Sequence, residues 1–420
     1  MKEKQKWSFW VVTMIFTYLA AFGGFAFTSQ EAMAAEVPPV KVAVILPLSG
    51  AFSRTGNLYL QSVKAMMGMV NDRGGIKSLG GAKLVPVVGD ALSTVEGAAS
   101  ATERICRDPE ILLAHGCWAS SLTMASTEVT ERMGIPHFTI SVAAALSSRG
   151  FKYGFYLQPS FDDFIRVTLP ITLDMFKKAG KEIKTAFVAT SNNVSDLSWC
   201  DNAQKYLEGV GVKFVGREVW PLGSLTDATP IMQKIKSTKP DAVLYGGSAL
   251  PEIQLFAMKQ KELGMQSVPF VCSGAWLGDP SLIPFTSTLQ SWIGNTPAWP
   301  FKTVPKEWVS RILEQCKKEY SNEPYAAYDL SLGMVSVPVY AEILERAASR
   351  DRNVIRETAK KLDIHNVEAT RGLPGQGMAF DEKNKIVQKY QVIAIYQWQG
   401  NKCVVVSPPS LAEADVRLKF

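Results

Sequence analysis

From Val40 onward, short aliphatic and β-branched runs alternate with segments whose apolar positions recur at helical spacing. Val42–Leu46 is apolar throughout, the pattern of a parallel strand buried on both faces. Asn57–Val70 follows, with Val63, Met66, Met67 and Val70 on one helical face and Gly74-Gly75 as its stop. The series continues with strand Leu84–Val88, helix Ser93–Cys106 and strand Ile111–His115. Ser120 or Ser121 then caps a helix carrying Leu122, Ala125, Val129 and Met133, which Gly134 ends before strand Pro136–Ser141. The alternation restarts with strands Thr185–Thr190, Lys213–Val219, Asp241–Tyr245 and Val268–Cys272, separated by helices Ser198–Val210, Thr229–Ser237 and Pro251–Leu263. Two such series predict an α/β protein of two lobes, each a parallel sheet wrapped by helices. The remainder is mainly helical (Lys306–Tyr320, Tyr325–Ala348, Arg352–Leu362) and closes on a strand pair, Val387–Gln397 and Lys402–Val406, turned at Gln399-Gly400-Asn401.

Ahead of this pattern, Lys2, Lys4 and Lys6 precede an uncharged apolar run from Trp7 to Phe27, and Ala32-Met33-Ala34-Ala35 follows. Basic start, apolar stretch and small-residue exit are the parts of a secretory signal peptide, so residues 1–35 are expected to be removed on export. A retained membrane anchor is the other use of so long a run. Loss of the leader takes three lysines and two glutamates and moves the formal charge from +6 to +5. That excess is spread along the chain, with no Lys/Arg block interleaved with aromatics, so nucleic acid is not an expected partner. His115, His137 and His365 stand apart in sequence, and Cys106, Cys117, Cys200, Cys272, Cys316 and Cys403 include no CxxC, which disfavours a zinc site. Export would permit disulfides without specifying which.

In open parallel sheets ligands bind beyond the carboxyl ends of the strands. In the first lobe those exits are Pro47–Gly56, Gly116–Ser121 and Ser141–Ala145, all small, polar and helix-opening, so that backbone amides and helix starts can meet an anion. Ser120 and Ser121 serve there as caps, as ligand contacts, or as both. Arg54 is either a solvated charge or an anion contact. The second-lobe exits are Ser191–Trp199, Gly246–Pro251 and Ser273–Trp276. Trp118 and Trp276, one past a strand end in each lobe, are packing residues or walls of a shared cleft.

No G-x-S-x-G elbow, phosphate-binding loop or H-E-x-x-H motif occurs, and Asp162-Asp163 reads as a helix start. Gly372–Gly377 lacks the strand-to-helix setting of a dinucleotide loop. No enzyme activity and no cofactor are expected.

The stretches KVAVILPLSGAFSRTGNLYLQSVKAMMGMVNDRGGI (41–76), RMGIPHFTIS (132–141), DAVLYGGSALPEI (241–253) and PYAAYD (324–329) stand out in their order and spacing. Together they resemble the periplasmic leucine/isoleucine/valine-binding proteins, the type I solute-binding proteins of branched-chain amino acid ABC transporters. The resemblance implies two Rossmann-like lobes joined by three crossings, near Tyr156–Pro159, Gly294–Pro297 and Arg371–Gly377. It gives 36–157 with 297–371 as the first lobe and 158–296 with 372–420 as the second. It also implies a ligand carboxylate at Trp118, Ala119, Ser120 and Ser121 and at Ser141, Val142, Ala143 and Ala144. An apolar pocket would be drawn from Phe52, Arg54, Thr55 and Tyr325. Three positions depart from the family. Ala145 replaces a threonine, Ser248 a tyrosine, and Gly274 the glutamate that takes a ligand ammonium. Burying an ammonium without a carboxylate costs several kcal/mol, and Asp196 is the one evident substitute. The remaining candidate contacts are Ser195, Trp199 and Trp276. The expectation is a periplasmic monomer that closes over a small carboxylate, an aromatic or branched organic acid or else a hydrophobic amino acid, and serves a membrane permease, with a ligand sensor as the alternative role of the same fold.

Overall fold

The computed structural model describes residues 37–274, 277–297, 304–321 and 327–418. The first lobe runs through β1 (Val40–Leu46), α1 (Ser53–Asp72), β2 (Leu84–Asp90), α2 (Val95–Cys106), β3 (Ile111–Gly116), α3 (Ser120–Met133), β4 (His137–Thr139), α4 (Ala144–Ser147) and β5 (Gly154–Tyr156). Its strands are parallel and ordered β2-β1-β3-β4-β5. β1 and β3 lie inside the sheet with helices on both faces, which is why they are apolar without alternation. Thr94 caps α2 by accepting the Gly97 amide, and Gly134, at φ 65°, ends α3.

The second lobe contains α5 (Phe161–Lys178), β6 (Thr185–Ser191), α6 (Val194–Gly209), β7 (Lys213–Trp220), α7 (Thr229–Thr238), β8 (Ala242–Gly246), α8 (Leu250–Glu262), β9 (Phe270–Ser273), α9 (Thr286–Leu289) and β10 (Trp292–Pro297). The chain then forms α10 (Lys306–Glu319), α11 (Ala327–Ala347) and α12 (Arg352–Lys360), whose Trp308, Ile312, Leu332, Val335 and Ile355 enter the first-lobe core. β11 (Asp363–His365) and β12 (Gly377–Ala379) pair antiparallel, and β13 (Ile393–Gln399) with β14 (Lys402–Ser407) completes a second sheet of order β14-β13-β10-β9-β8-β6-β7.

Met378, Phe380 and Ile386 still belong to the first-lobe core, whereas Ile393 and Ile395 belong to the second. The third crossing therefore lies between Ile386 and Ile393, not at Arg371–Gly377, because residues 372–386 bury their apolar side chains against α11 and β5 rather than under the second sheet. The first and third passages run side by side: Tyr156 donates its amide to the Asn384 carbonyl (2.9 Å) and Ile386 donates to that of Tyr156 (3.0 Å). Asp163 opens α5 in a capping box with Ser160 and receives the Lys385 ammonium at 3.0 Å, so this acid is structural.

All six cysteines are unpaired, and all but Cys403 are buried. Burial pushes the Cys106 and Cys117 thiols up to about 12. Among the described residues no cluster of metal-ligating side chains occurs, and no helix is long and apolar enough to cross a membrane.

Candidate ligand-binding cleft

The first-lobe side of the cleft is built by strand exits that hold one another in place. After β1, the amides of Leu48 and Ser49 bond to Asp90 Oδ1 (2.9 and 3.2 Å), and Ser93 Oγ accepts the Phe52 amide (3.1 Å) while donating to the Ser49 carbonyl (2.6 Å). Burial raises the Asp90 pKa, but the Ser49 hydroxyl and the amides of Leu92, Leu48 and Ser49 outweigh it and hold the carboxyl below the usual range. α1 begins at Ser53, four residues before the helix expected at Asn57, so Arg54 and Thr55 stand on its first turn rather than in a loop. After β3, Trp118 adopts a left-handed backbone at φ 73°, a conformation that costs of order 1–3 kcal/mol outside glycine. It is held there by a T-shaped contact with Phe52 (5.2 Å between ring centres) and by Ser141 Oγ, which donates to its carbonyl at 2.7 Å. Thr123 Oγ1 meets Ser141 Oγ at 2.6 Å and accepts the Cys117 amide at 3.0 Å, tying the third and fourth exits together.

Ala119 precedes α3 and provides it with no side-chain cap. The expected serine cap is absent because Ser120 already lies inside the helix and its Oγ accepts the Ala143 amide at 3.2 Å. The first amides of α3 are thus left to an outside acceptor. Ser121 faces the groove between α2 and α3 that Val194 of the second lobe borders. Val142 packs on the second-lobe core, and Ala143 forms with Leu146, Tyr156, Met124 and Val194 a small apolar junction across the lobes.

On the second-lobe side, α6 begins at Val194, so Ser195 and Asp196 occupy its first turn instead of a loop before Ser198. Asp196 is buried and accepts from Ser191 Oγ (2.6 Å), Ser248 Oγ (2.9 Å) and Ser195 Oγ (3.4 Å). Burial lifts its carboxyl to about 6 against the pull of those hydroxyls. Gly274 donates its amide to the Asn295 carbonyl (2.7 Å), and a Cβ there would stand 2.7 Å from Gly294 Cα. The β9 exit passes too close to β10 for any side chain.

The lobes meet directly. Arg54 Nη1 pairs with Asp279 Oδ2, a carboxylate only 2% exposed that also caps the 3₁₀ turn Pro280–Phe285 through the Ser281 amide (2.8 Å). Leu222 of the β7 exit packs into the first-lobe cluster that contains Phe52. Its loop is held by buried Glu252, which accepts from Trp220 Nε1 (2.9 Å) and the Gly223 amide (2.8 Å), and by Asn192, which accepts the Leu222 amide (3.0 Å).

This two-lobed α/β frame is matched by a protein family and by solved structures. The model of the periplasmic binding protein family matches residues 39–402. The chain belongs to that family. A Leu/Ile/Val-binding protein homolog 7 of Brucella abortus is 23% identical over 389 residues, spanning 90% of this chain and 94% of that protein. The solved leucine-binding protein LivK of Thermotoga maritima superposes with a TM-score of 0.72 at 20% identity, over 88% of this chain and 99% of its own. A solute-binding protein of an ABC transporter from Rhodopseudomonas palustris, in complex with benzoate, gives 0.71 at 16% identity, over 90% and 98%. Periplasmic binding proteins are binding proteins, not enzymes, in keeping with a sequence that carries no catalytic motif.

In this periplasmic binding protein the structure gathers Phe52, Arg54, Trp118, Ala119, Ser120, Ser141, Val142 and Ala143 on one face, and Ser195, Asp196, Ser248 and Gly274 at the second-lobe exits. Thr55 and Ala144 are partly buried at helix starts on the first-lobe side. Trp199 departs from its expected place on a cleft loop. It is 0% exposed in the second-lobe core, and its Nε1 donates to Asn295 Oδ1 at 3.2 Å. Once α6 begins at Val194, position 199 turns inward onto the sheet. Arg54 is spent on Asp279 rather than standing as a free guanidinium. Trp276 and Tyr325 lie outside the described residues. Sequence reasoning passed over Asp279 and Glu252, although Asp-Pro at 279–280 is a helix-start signal.

Proposed function

We propose that this periplasmic binding protein is the solute-capturing subunit of an ABC importer, a periplasmic monomer that delivers a small carboxylate to a membrane permease. Its cargo is an aromatic or branched organic acid without an α-amino group. The candidate contacts are the uncapped start of α3 for the carboxylate and Phe52 with Trp118 for the apolar body. The observation that carries this reading is the state of the second lobe's acids. Asp196 is engaged by three serine hydroxyls, Asp279 by Arg54, and position 274 has no room for any side chain. An ammonium entering here would be buried without a carboxylate of its own, at several kcal/mol, whereas a bare acid would not. The benzoate held by the Rhodopseudomonas relative supports the same class. Calorimetry with leucine and phenylalanine beside 4-methylpentanoate and 3-phenylpropanoate tests it. The deaminated acids are expected to bind more tightly. Tighter binding of the amino acids, lost in Asp196→Asn, would overturn the reading.

A further inference from the structure

The turn that leaves β7, residues 221–225, is fixed at every amide after Pro221. Leu222 donates to Asn192 Oδ1 (3.0 Å), Gly223 and Leu225 to Glu252 Oε1 (2.8 and 3.3 Å), and Ser224 to the Pro221 carbonyl (3.1 Å). Asn192 is tied back in turn, its amide donating to the Trp220 carbonyl (2.8 Å). Glu252 is 1% exposed, and its other oxygen accepts from Trp220 Nε1 (2.9 Å). Burial pushes this carboxyl up against the pull of Trp220 and of the Leu225 and Gly223 amides. A buried carboxylate is costly to keep, yet Pro221, Gly223 and Ser224, in the turn that it secures, are exposed. Only Leu225 of this turn joins the second-lobe core.

What the turn reaches is the other lobe. Leu222 packs on the first-lobe cluster that contains Phe52 and Ala119, and Trp118 packs on the same cluster. One residue on, a Cβ at Gly223 would stand 3.7 Å from that of Ala51. The receiving side is equally fixed, since Ser93 Oγ holds the Phe52 amide and Asp90 holds those of Leu48 and Ser49. Two rigid tips from different lobes thus meet through one leucine, and hinge opening must part them. The geometry points to Leu222 as a latch on the cleft that sets how fast a captured solute leaves, with Glu252 and Asn192 as the positioning residues that present it. A contact that forms as the lobes shut over the solute slows release and leaves the first encounter untouched. The latch acts on the closed state rather than through the ligand's own chemistry, so it does not depend on which solute is captured.

Stopped-flow tryptophan fluorescence with 3-phenylpropanoate and with leucine, one from each class of cargo weighed above, follows entry and release. Leu222→Ala is expected to speed release about tenfold while the association rate stays within about twofold of wild type. Leu222→Met, which keeps an apolar side chain of similar volume, should restore the wild-type rates. Glu252→Gln should also speed release, but add nothing in the Leu222→Ala background, because both changes undo one contact. Additive effects in that double variant would show that Glu252 acts apart from the latch and would overturn its positioning role. A release rate left unchanged by Leu222→Ala overturns the latch itself, as does a loss of affinity carried by slower association. If neither solute binds, the carboxylate reading fails, and small-angle scattering of the ligand-free protein decides the latch separately. A larger radius of gyration in Leu222→Ala than in wild type upholds it, and an equal radius overturns it.

Discussion

Between pH 4 and 6 the unfolded chain ionises Asp196 before the folded protein does, because burial lifts the folded carboxyl from 3.8 to about 6 even though Ser191, Ser248 and Ser195 donate to it. A folded pKa above the unfolded one means that this group's contribution is present at acid pH and lost as pH rises through that window. The shift corresponds to about 3 kcal/mol. Asp196→Asn keeps a side chain able to bond the serines but cannot ionise. Urea unfolding should therefore find the variant more stable than wild type by about that amount at pH 7 and nearly equal at pH 4. A difference independent of pH would show that Asp196 is charged at no such cost. His115 and His137 act in the opposite sense. Burial lowers them to about 3 and about 4, so their stability is complete above the ordinary imidazole range and is lost as pH falls below about 6.5.

At the scale of elements, the central strands were legible and the edges of the site were not. β1, β3, β6 and β8 are almost wholly buried and show it as apolar or small-residue runs, broken only by Lys41 in β1 and His115 in β3. β5 and β12 have three residues each, too few for any period, and β10 carries Gly294 and Asn295 where a strand pattern would want β-branched residues. The first-lobe exits could be read because small polar residues open helices there. The Arg54–Asp279 contact could not, because it joins positions 225 residues apart and no periodicity surrounds Asp279. The glycine at 274 was visible in the sequence, but not that β9 there approaches β10 too closely for a side chain. Gly274→Ala should push the two strands apart and cost about 1–3 kcal/mol of stability, the usual penalty of inserting a methyl into packed structure. Thermal unfolding measures it. An unchanged Tm would mean the strands separate freely, and that an acid could have been accommodated there.

Across the whole molecule, the lobes touch through Arg54 and Asp279, through Leu222 against the Phe52 cluster, and through Val194 against Ala143. Of these, the ion pair is the one a single substitution removes cleanly. Asp279→Ala removes the carboxylate that Arg54 meets across the lobes, so the ligand-free protein should populate a wider opening. Small-angle scattering should record a larger radius of gyration for the variant than for wild type, with saturating ligand bringing the two together. Equal radii without ligand would assign the closed contact to the apolar junctions alone. The thiols have a consequence of another kind. The six cysteines of this periplasmic binding protein form no covalent cross-link, so its shape owes nothing to the redox poise of its surroundings. Five are shut inside the lobes and become reachable only when the chain opens. An oxidant therefore has little purchase on the working protein and six targets on the nascent one, and for this molecule the dangerous moment is the interval before it folds.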